Sequence, residues 1–420
     1  MTARALVKIN EYRSPSVVRT TSPTSMVIFG TSGASASAKQ LPTGATLPPV
    51  NTPTLVRNLI HGYELFGWLN DPGATFNGKT YSGTYANLAR TTGSGATERY
   101  VNTIPRALRG AFAKSTEHVI VIRISETGTF NDNVVAAFES LKSSNTTGIV
   151  PKIALIPGLG WVADATGGID ASSSATVPPY LDEFAQLCED LEMYGKITAT
   201  PNYTTQTNAT YISGLHTALG STETNVSVTP HVGVVTEYGS QVHVDMTPYL
   251  ASAYAAEDAT KGVAENPRGT SVIGVEDIYP DSTYNAVSAS THEAILRGHH
   301  YETLAYRPNL QIVGSTLFYP DTSEDVQQFT NVHRTTLDIK RQFVIISEKA
   351  ADYNVGAARE YFLDEGETYM RGLASRGQIA EPSVQLDPDN DTGGRDIYGL
   401  VRYTSIEPAE YVELSIGPRN

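Results

Sequence analysis

Apolar and polar positions change period several times along the chain, and each change marks an element. His118 to Ile124 (HVIVIRI) and Ile149 to Ile156 (IVPKIALI) are short apolar runs, the pattern of strands buried on both faces. Asn133 to Leu141 and Pro179 to Tyr194 carry helical spacing, and Ile197 to Pro201 follows as a third strand. Strand alternating with helix predicts an α/β layer. In the last third, Phe329, Val332, Thr336, Ile339, Phe343, Ile346 and Ala350 mark one face of a helix of about 25 residues. Ala358, Tyr361, Phe362, Tyr369 and Leu373 mark the next. A loop from Leu386 to Gly394 then leads to two alternating runs, Ile397 to Tyr403 and Tyr411 to Ile416, separated by Pro408.

The two ends share a character. In the last run Val412, Leu414 and Ile416 alternate with Tyr411, Glu413 and Ser415, so it reads as one strand. Residues 1–24 have no helical period, but Ala5, Val7 and Ile9, then Val17 and Val18, form short apolar runs. Arg4, Lys8, Arg13 and Arg19 face the single acid Glu11 there, whereas Glu407, Glu410 and Glu413 outnumber Arg419 at the other end. A strand at a chain end must join a sheet to satisfy its backbone. Two destinations are open: the chain's own sheet, or a neighbour's.

Length and composition narrow the class. At 420 residues the chain has room for about two to four domains. A net charge of −14 argues against coating nucleic acid, which requires a basic surface. No eighteen-residue apolar window predicts a membrane span, and the first residues lack the apolar core of a signal peptide. Synthesis in the cytoplasm is therefore expected, and the lone Cys188, set among Phe184, Leu187, Leu191 and Tyr194, reads as a buried thiol. Residues 31–100 are rich in Gly, Ser, Thr and Pro, and residues 205–248 look like an exterior insertion of strands and loops.

Chemical motifs are few. Gly73 to Thr80 (GATFNGKT) satisfies the phosphate-binding pattern G-x-x-x-x-G-K-[ST]. That motif works between a buried strand and a helix N-terminus, but Asn70-Asp71-Pro72 precedes it and Gly83-Thr84 follows, so a surface turn is expected. Asp387, Asp389 and Asp391 are spaced as in a Ca²⁺ loop, yet Thr392 and Tyr398 stand where the turn glycine and the bidentate acid belong. No H-x-x-x-H spacing and no G-x-S-x-G elbow occurs, so neither a catalytic group, a metal nor a cofactor is expected. The long helix carries His333, Arg334, Lys340 and Arg341 beside its apolar stripe. In an acidic chain these could dock an acidic partner or simply be solvated.

A serial resemblance adds to this reading. Tyr254-Ala-Ala-Glu-Asp258 to Gly262 and Pro267, followed by an apolar strand from Ser271 to Glu276, is similar to a stretch of the contractile tail sheath family. So are Ile153 to Gly158 (IALIPG), the helix opening Phe329 to Arg334, the closing Glu407-Pro408-Ala409-Glu410-Tyr411, and Ser25 to Gly33 with Leu65-Phe66-Gly67 near the start. The family comprises sheaths of contractile-tailed bacteriophages, R-type bacteriocins and related contractile injection systems. The order agrees over roughly residues 110–418, with departures at Val263, Val313 to Thr316, His333 and Ser14 to Val17.

The resemblance implies an α/β and α+β multidomain chain. Its parts would be an N-terminal arm (1–24), a Gly/Thr-rich and partly peripheral region (25–109), a middle domain of subtilisin-like fold without the triad (110–284), a C-terminal helix and sheet domain (285–406), and a C-terminal arm (407–420). It implies a non-enzymatic subunit that polymerises helically around an inner tail tube and contracts to drive the tube through an envelope. Val7, Ile9, Val17, Tyr411, Val412, Leu414 and Ile416 would be arm residues pairing with other copies, and Arg334, Lys340 and Arg341 the tube-facing cations. Partners would be further copies, the tube, the baseplate and the tail terminator, in a virion tail made in the bacterial host cytoplasm, with no nucleic-acid contact and no membrane insertion. The alternatives are a nucleotide hydrolase using Gly73 to Thr80, or a shell or S-layer protein.

Overall fold

The computed structural model describes residues 25–31, 45–67, 75–76, 79–80, 91–92, 99–100, 103–114, 118–125, 127–144, 147–159, 180–198, 225–237, 240–279, 301–307, 309–314, 317, 329–388 and 397–406. These residues fall into two compact units, the larger within Ser14–Val263 and Pro267–Ser323, the smaller formed by Ala264–Asn266 and residues from Glu324 onward.

The larger unit is built on a six-stranded sheet. Five strands are parallel: β1 (Met26–Gly30), β7 (Val119–Arg123), β8 (Ile153–Leu155), β9 (Tyr194–Thr198) and β10 (Val226–Thr229). The sixth, β2 (Thr54–Val56), closes one side antiparallel to β7, giving the order β10-β9-β8-β1-β7-β2. Alternate side chains go to opposite faces, and both faces are apolar. Val27, Phe29, Ile120, Ile122, Ala154 and Ile197 join one core with α3 (Phe130–Ser144) and α4 (Leu181–Asp190). Met26, Ile28, Val119, Val121, Ile153 and Leu155 are buried on the other face. There α2 (Thr103–Ala111) and α5 (Thr247–Lys261) pack against the sheet, with α1 (Leu59–Phe66) against α2. Fully apolar strands under helices on two faces are what a doubly wound parallel sheet requires. Cys188 lies in the first of these cores, where burial pushes its thiol pKa up and leaves a small apolar filler.

Four expectations need correction. The boundary after residue 109 does not separate two bodies, because β1 sits between β8 and β7 at the middle of the sheet. The insertion expected at 205–248 contains β10, an edge strand of that sheet, followed by β11 (Val232–Glu237) and β12 (Ser240–Asp245). The latter two make a three-stranded sheet with β13 (Asp277–Tyr279), which takes the place of the strand expected at 271–276. The C-terminal unit begins later than 285: Tyr301 to Ile312, with the hairpin of β14 (Leu304–Arg307) and β15 (Asn309–Ile312), belongs to the larger unit.

The third sheet strand begins at Tyr194 rather than Ile197 because a lysine is accommodated inside it. Lys196 is 1% exposed, and its Nζ lies 2.6 Å from Oε2 of Glu302, also 1% exposed. Ser227 Oγ on β10 donates to the same carboxylate oxygen at 3.2 Å, and the Tyr254 hydroxyl on α5 donates to Oε1 at 2.5 Å. The ammonium stands over the rings of Tyr254 and Tyr194, 3.9 and 4.8 Å from their centroids. Glu302 N donates to Val228 O at 2.8 Å, so the segment that brings the carboxylate also lines the β10 edge.

Removing one partner of a buried pair strands the other charge. Lys196→Met alone is expected to cost about 3–5 kcal/mol in denaturant unfolding, and Lys196→Met with Glu302→Gln to recover most of it. Equal losses in the single and double variants would show that the pair contributes only packing.

Candidate assembly surface

The smaller unit joins a helical hairpin to a β-hairpin. Helix α6 (Thr330–Ala350) and α7 (Val355–Ser375) are separated by a short turn in which Asn354 caps α7, accepting from Ala357 N at 3.2 Å. Gly377, at φ 70°, ends α7: Gly377 N bonds Ala374 O and Gln378 N bonds Leu373 O. Strands β16 (Ile379–Leu386) and β17 (Gly399–Ser405) follow as an antiparallel pair. Ile339, Phe343, Ile346, Phe362, Met370, Leu373, Ile379, Val384, Val401 and Tyr403 form one core. Gly366 and Gly399 permit this closeness. A Cβ on Gly366 would meet Phe343 at 2.9 Å and Val384 at 3.1 Å, and one on Gly399 would run into the Phe362 ring.

The β-hairpin has a buried and an exposed face. Val384, Val401 and Tyr403 point to the helices, while Glu381, Gln385, Arg402 and Thr404 are exposed. Strand β16 was absent from the sequence expectations because Glu381-Pro382 breaks its alternation. In the structure those two residues face the single Tyr403, a bulge in which Glu381 adopts φ 49°. The alternating Val384 and Leu386 were the remaining signal.

Helix α6 departs from a simple amphipathic pattern. Its first two turns, Thr330 to Leu337, are buried on every side although most of their residues are polar. Part of that polarity is satisfied locally: Thr335 Oγ1 donates to Asn331 O at 2.7 Å, Thr336 Oγ1 bonds the Tyr403 hydroxyl at 2.6 Å, and Asn331 Nδ2 donates to Ala264 O at 3.1 Å. His333 is 8% exposed, and its Nε2 has no hydrogen-bond partner among the described residues. Burial, helped by the positive charges of Lys340 and Arg341, pushes its pKa down to about 3.

This placement changes the cationic face expected from the sequence. Arg334 and Arg341 are seven residues apart and share a helix face, but Arg334 is 6% exposed because the start of α6 is enclosed. Lys340 and Arg341 are half-buried, and the exposed positions on the later turns are Val344, Glu348 and Lys349. The arm residues Val7, Ile9, Val17, Tyr411, Val412, Leu414 and Ile416 lie outside the described residues.

Four residues of the phosphate-loop match are described, and they form a strand pair. Strand β3 (Thr75–Phe76) pairs antiparallel with β4 (Lys79–Thr80), Phe76 opposite Lys79, leaving Asn77-Gly78 between them. Asn-Gly is the preferred dipeptide for a two-residue hairpin connection. Lys79 and Thr80 thus stand in a strand, where a phosphate loop places the first turn of a helix. A second pair, β5 (Thr91–Thr92) with β6 (Arg99–Tyr100), is also antiparallel.

Other candidate sites are structural. Doubly wound sheets bind ligands outside the carboxyl ends of their strands. At that end of β9, Asp245 accepts from Gly158 N at 2.7 Å, Thr198 Oγ1 at 2.9 Å, and Thr247 N and Oγ1 at 2.7 and 2.6 Å. Its carboxylate is spent on fixing the start of α5, although burial still raises its pKa. Asp387, first of the acidic loop, donates its N–H to Tyr398 O at 2.8 Å and so continues the β16–β17 ladder. Among the described residues no three His, Cys, Asp or Glu side chains gather to hold a metal, and no helix is long and apolar enough to cross a membrane.

The fold, over 95% or more of the chain, is similar to that of solved baseplate and sheath structures. A chain of the anti-feeding prophage baseplate superposes with a TM-score of 0.66 at 14% identity, covering all of both chains. The PVC sheath complex, an extracellular contractile injection system in the contracted state, gives 0.60 at 11% identity, over 100% of this chain and 98% of that one. A sheath tail protein from Desulfitobacterium hafniense gives 0.53 at 10%, over 95% and 100%. No protein-family model and no curated protein matches the sequence. The mixed α/β architecture, with its seven helices among the described residues, is thus a sheath-protein fold.

His333 gives a pH test. A folded pKa of about 3 against an ordinary 6.5 means the unfolded state binds more protons between those values. Its contribution is complete above about pH 6.5 and is lost as pH falls toward 3, at up to about 1.4 kcal/mol per pH unit. Between pH 6.5 and 5 the native chain should lose thermal stability faster than His333→Gln. Parallel curves for the two proteins would count against a buried neutral imidazole.

Proposed function

We propose that this chain is the sheath subunit of a contractile injection apparatus. It assembles helically around an inner tube and contracts to drive that tube through a target envelope. The observation that carries the reading is the agreement of fold, over nearly the whole of each chain, with the contracted sheaths of the anti-feeding prophage and PVC systems. The absence of recognisable catalytic chemistry in the sequence is compatible with it, as is the antiparallel pairing of Thr75–Phe76 with Lys79–Thr80. The middle of the larger unit is read as a subtilisin-like layer without a triad, supported by its doubly wound sheet.

Residues 1–24 and 407–420 serve as arms that add strands to the sheets of other copies. Each added strand of six residues would form about three to six backbone hydrogen bonds at about 0.5–1.5 kcal/mol net each. Several kcal/mol per arm, repeated over a lattice, holds subunits together while they rotate. Lys340 and Arg341 are the remaining candidates for contact with an acidic tube surface. Baseplate and terminator proteins at the two ends complete the set of partners, in a phage-like tail or injection particle.

Purified protein should form striated tubes in negative-stain electron microscopy, and deletion of 407–420 should leave a folded, soluble chain that forms none. Flat lattices or closed shells would point to a shell protein instead. Lys340→Glu with Arg341→Glu is expected to abolish tube binding while leaving self-assembly intact; undiminished co-sedimentation with the tube would remove these residues from the contact.

A further inference from the structure

The β10 edge of the central sheet combines an apolar strand with a charge set just behind it. Gly195 N on β9 donates to Asn225 O, so by alternation Val226 and Val228 turn their backbone N–H and C=O groups to the outer side. There Val228 O accepts from Glu302 N at 2.8 Å. Val226, Ser227, Val228 and Thr229 are all buried, and an edge strand of this composition is a template for pairing with another chain. Beyond Glu302 the covering segment bonds elsewhere: Val313 N donates to Thr303 O, Ile312 N to Thr270 O, and Val272 N to Leu310 O. The backbone bond at Val228 does not select its partner, since any extended segment could supply the same N–H.

Lys196 does select. It stands opposite Ser227 in the β9–β10 register, one strand inside the edge. Its ammonium is enclosed, and the carboxylate that meets it belongs to the covering segment. Glu302 thus makes both contacts, its backbone to Val228 and its side chain to Lys196. We infer that Lys196 is a gate on the β10 edge. It admits the chain's own Glu302 segment and rejects any strand, from this chain or a second copy, that brings no carboxylate to the same place. Such a strand would bury the ammonium without a counter-charge, which costs more than the few backbone bonds gained along a four-residue edge. Inward-pointing charges and covering segments each protect sheet edges, and here the one depends on the other. Neutral side chains at both positions would leave the fold standing but the edge without discrimination.

Three full-length chains separate a gate from a merely structural pair: the native sequence, Glu302→Gln, and Lys196→Met with Glu302→Gln. The last two differ only at Lys196. Amide exchange, read by mass spectrometry on peptides spanning 226–229, reports whether the cover has come away. Thioflavin binding by the pelleted fraction, below each melting midpoint, reports strand pairing between copies, with electron microscopy setting ordered tubes aside. Glu302→Gln is expected to exchange about tenfold faster or more at 226–229. It should nevertheless give no more thioflavin-positive material than the native chain, because Lys196 still rejects a foreign strand. The double variant is expected to melt at a higher temperature than Glu302→Gln and yet to give severalfold more of that material. A thioflavin signal that instead follows instability, highest in Glu302→Gln, would overturn the gate and leave an ordinary buried pair. Unchanged exchange at 226–229 in Glu302→Gln would overturn the part given to Glu302 in holding the cover. Should the double variant fail to fold, Lys196→Leu with Glu302→Leu, set against Glu302→Leu alone, makes the same comparison.

Discussion

Lys196 and Glu302 hold the larger unit to one arrangement. Neither charge is tolerable there alone, since a lone ammonium or carboxylate at 1% exposure would cost several kcal/mol. Together, with Ser227 and Tyr254, they tie β9, β10 and α5 to a segment more than a hundred residues further along the chain. The packing of β9, β10 and α5 around Lys196 therefore depends on Glu302. A pair of aliphatic residues could fill the same volume, but it would not dictate which segment lies along β10.

Legibility from sequence followed how local each cause is. Strands β7 and β8 and helices α3, α6 and α7 were readable because their apolar period is set by neighbours within one or two turns. The start of β9 was not, because Lys196 looks like a strand breaker until its distant partner is known. Strand β10 was assigned to an insertion for a related reason. Val226-Ser227-Val228-Thr229 is short, and its burial depends on β9 and on Glu302. In the smaller unit, β16 was hidden by the same Glu381-Pro382 that defines its bulge. The enclosure of Arg334 could not be foreseen, since helical spacing shows which residues share a face but not how much of that face is covered. Within the phosphate-loop string, Lys79 and Thr80 lie in a strand, the kind of element its flanking residues favoured over a helix.

The described sheets also differ in how their edges are covered. The β10 edge of the central sheet is lined at Val228 by the Glu302 segment, and the far edge is the three-residue β2. The β16 edge is interrupted by a bulge and a proline. Against these, β17 presents a regular run of seven residues. Bulges, prolines and short strands of this kind are means of keeping a sheet edge from unintended pairing.

The blunted side of the hairpin has a further consequence. The irregularity at Glu381 and the missing N–H of Pro382 interrupt the row of backbone groups along β16. An edge so interrupted gives an incoming strand no continuous ladder to follow. The two residues that hid this strand in the sequence thus also guard it against indiscriminate pairing.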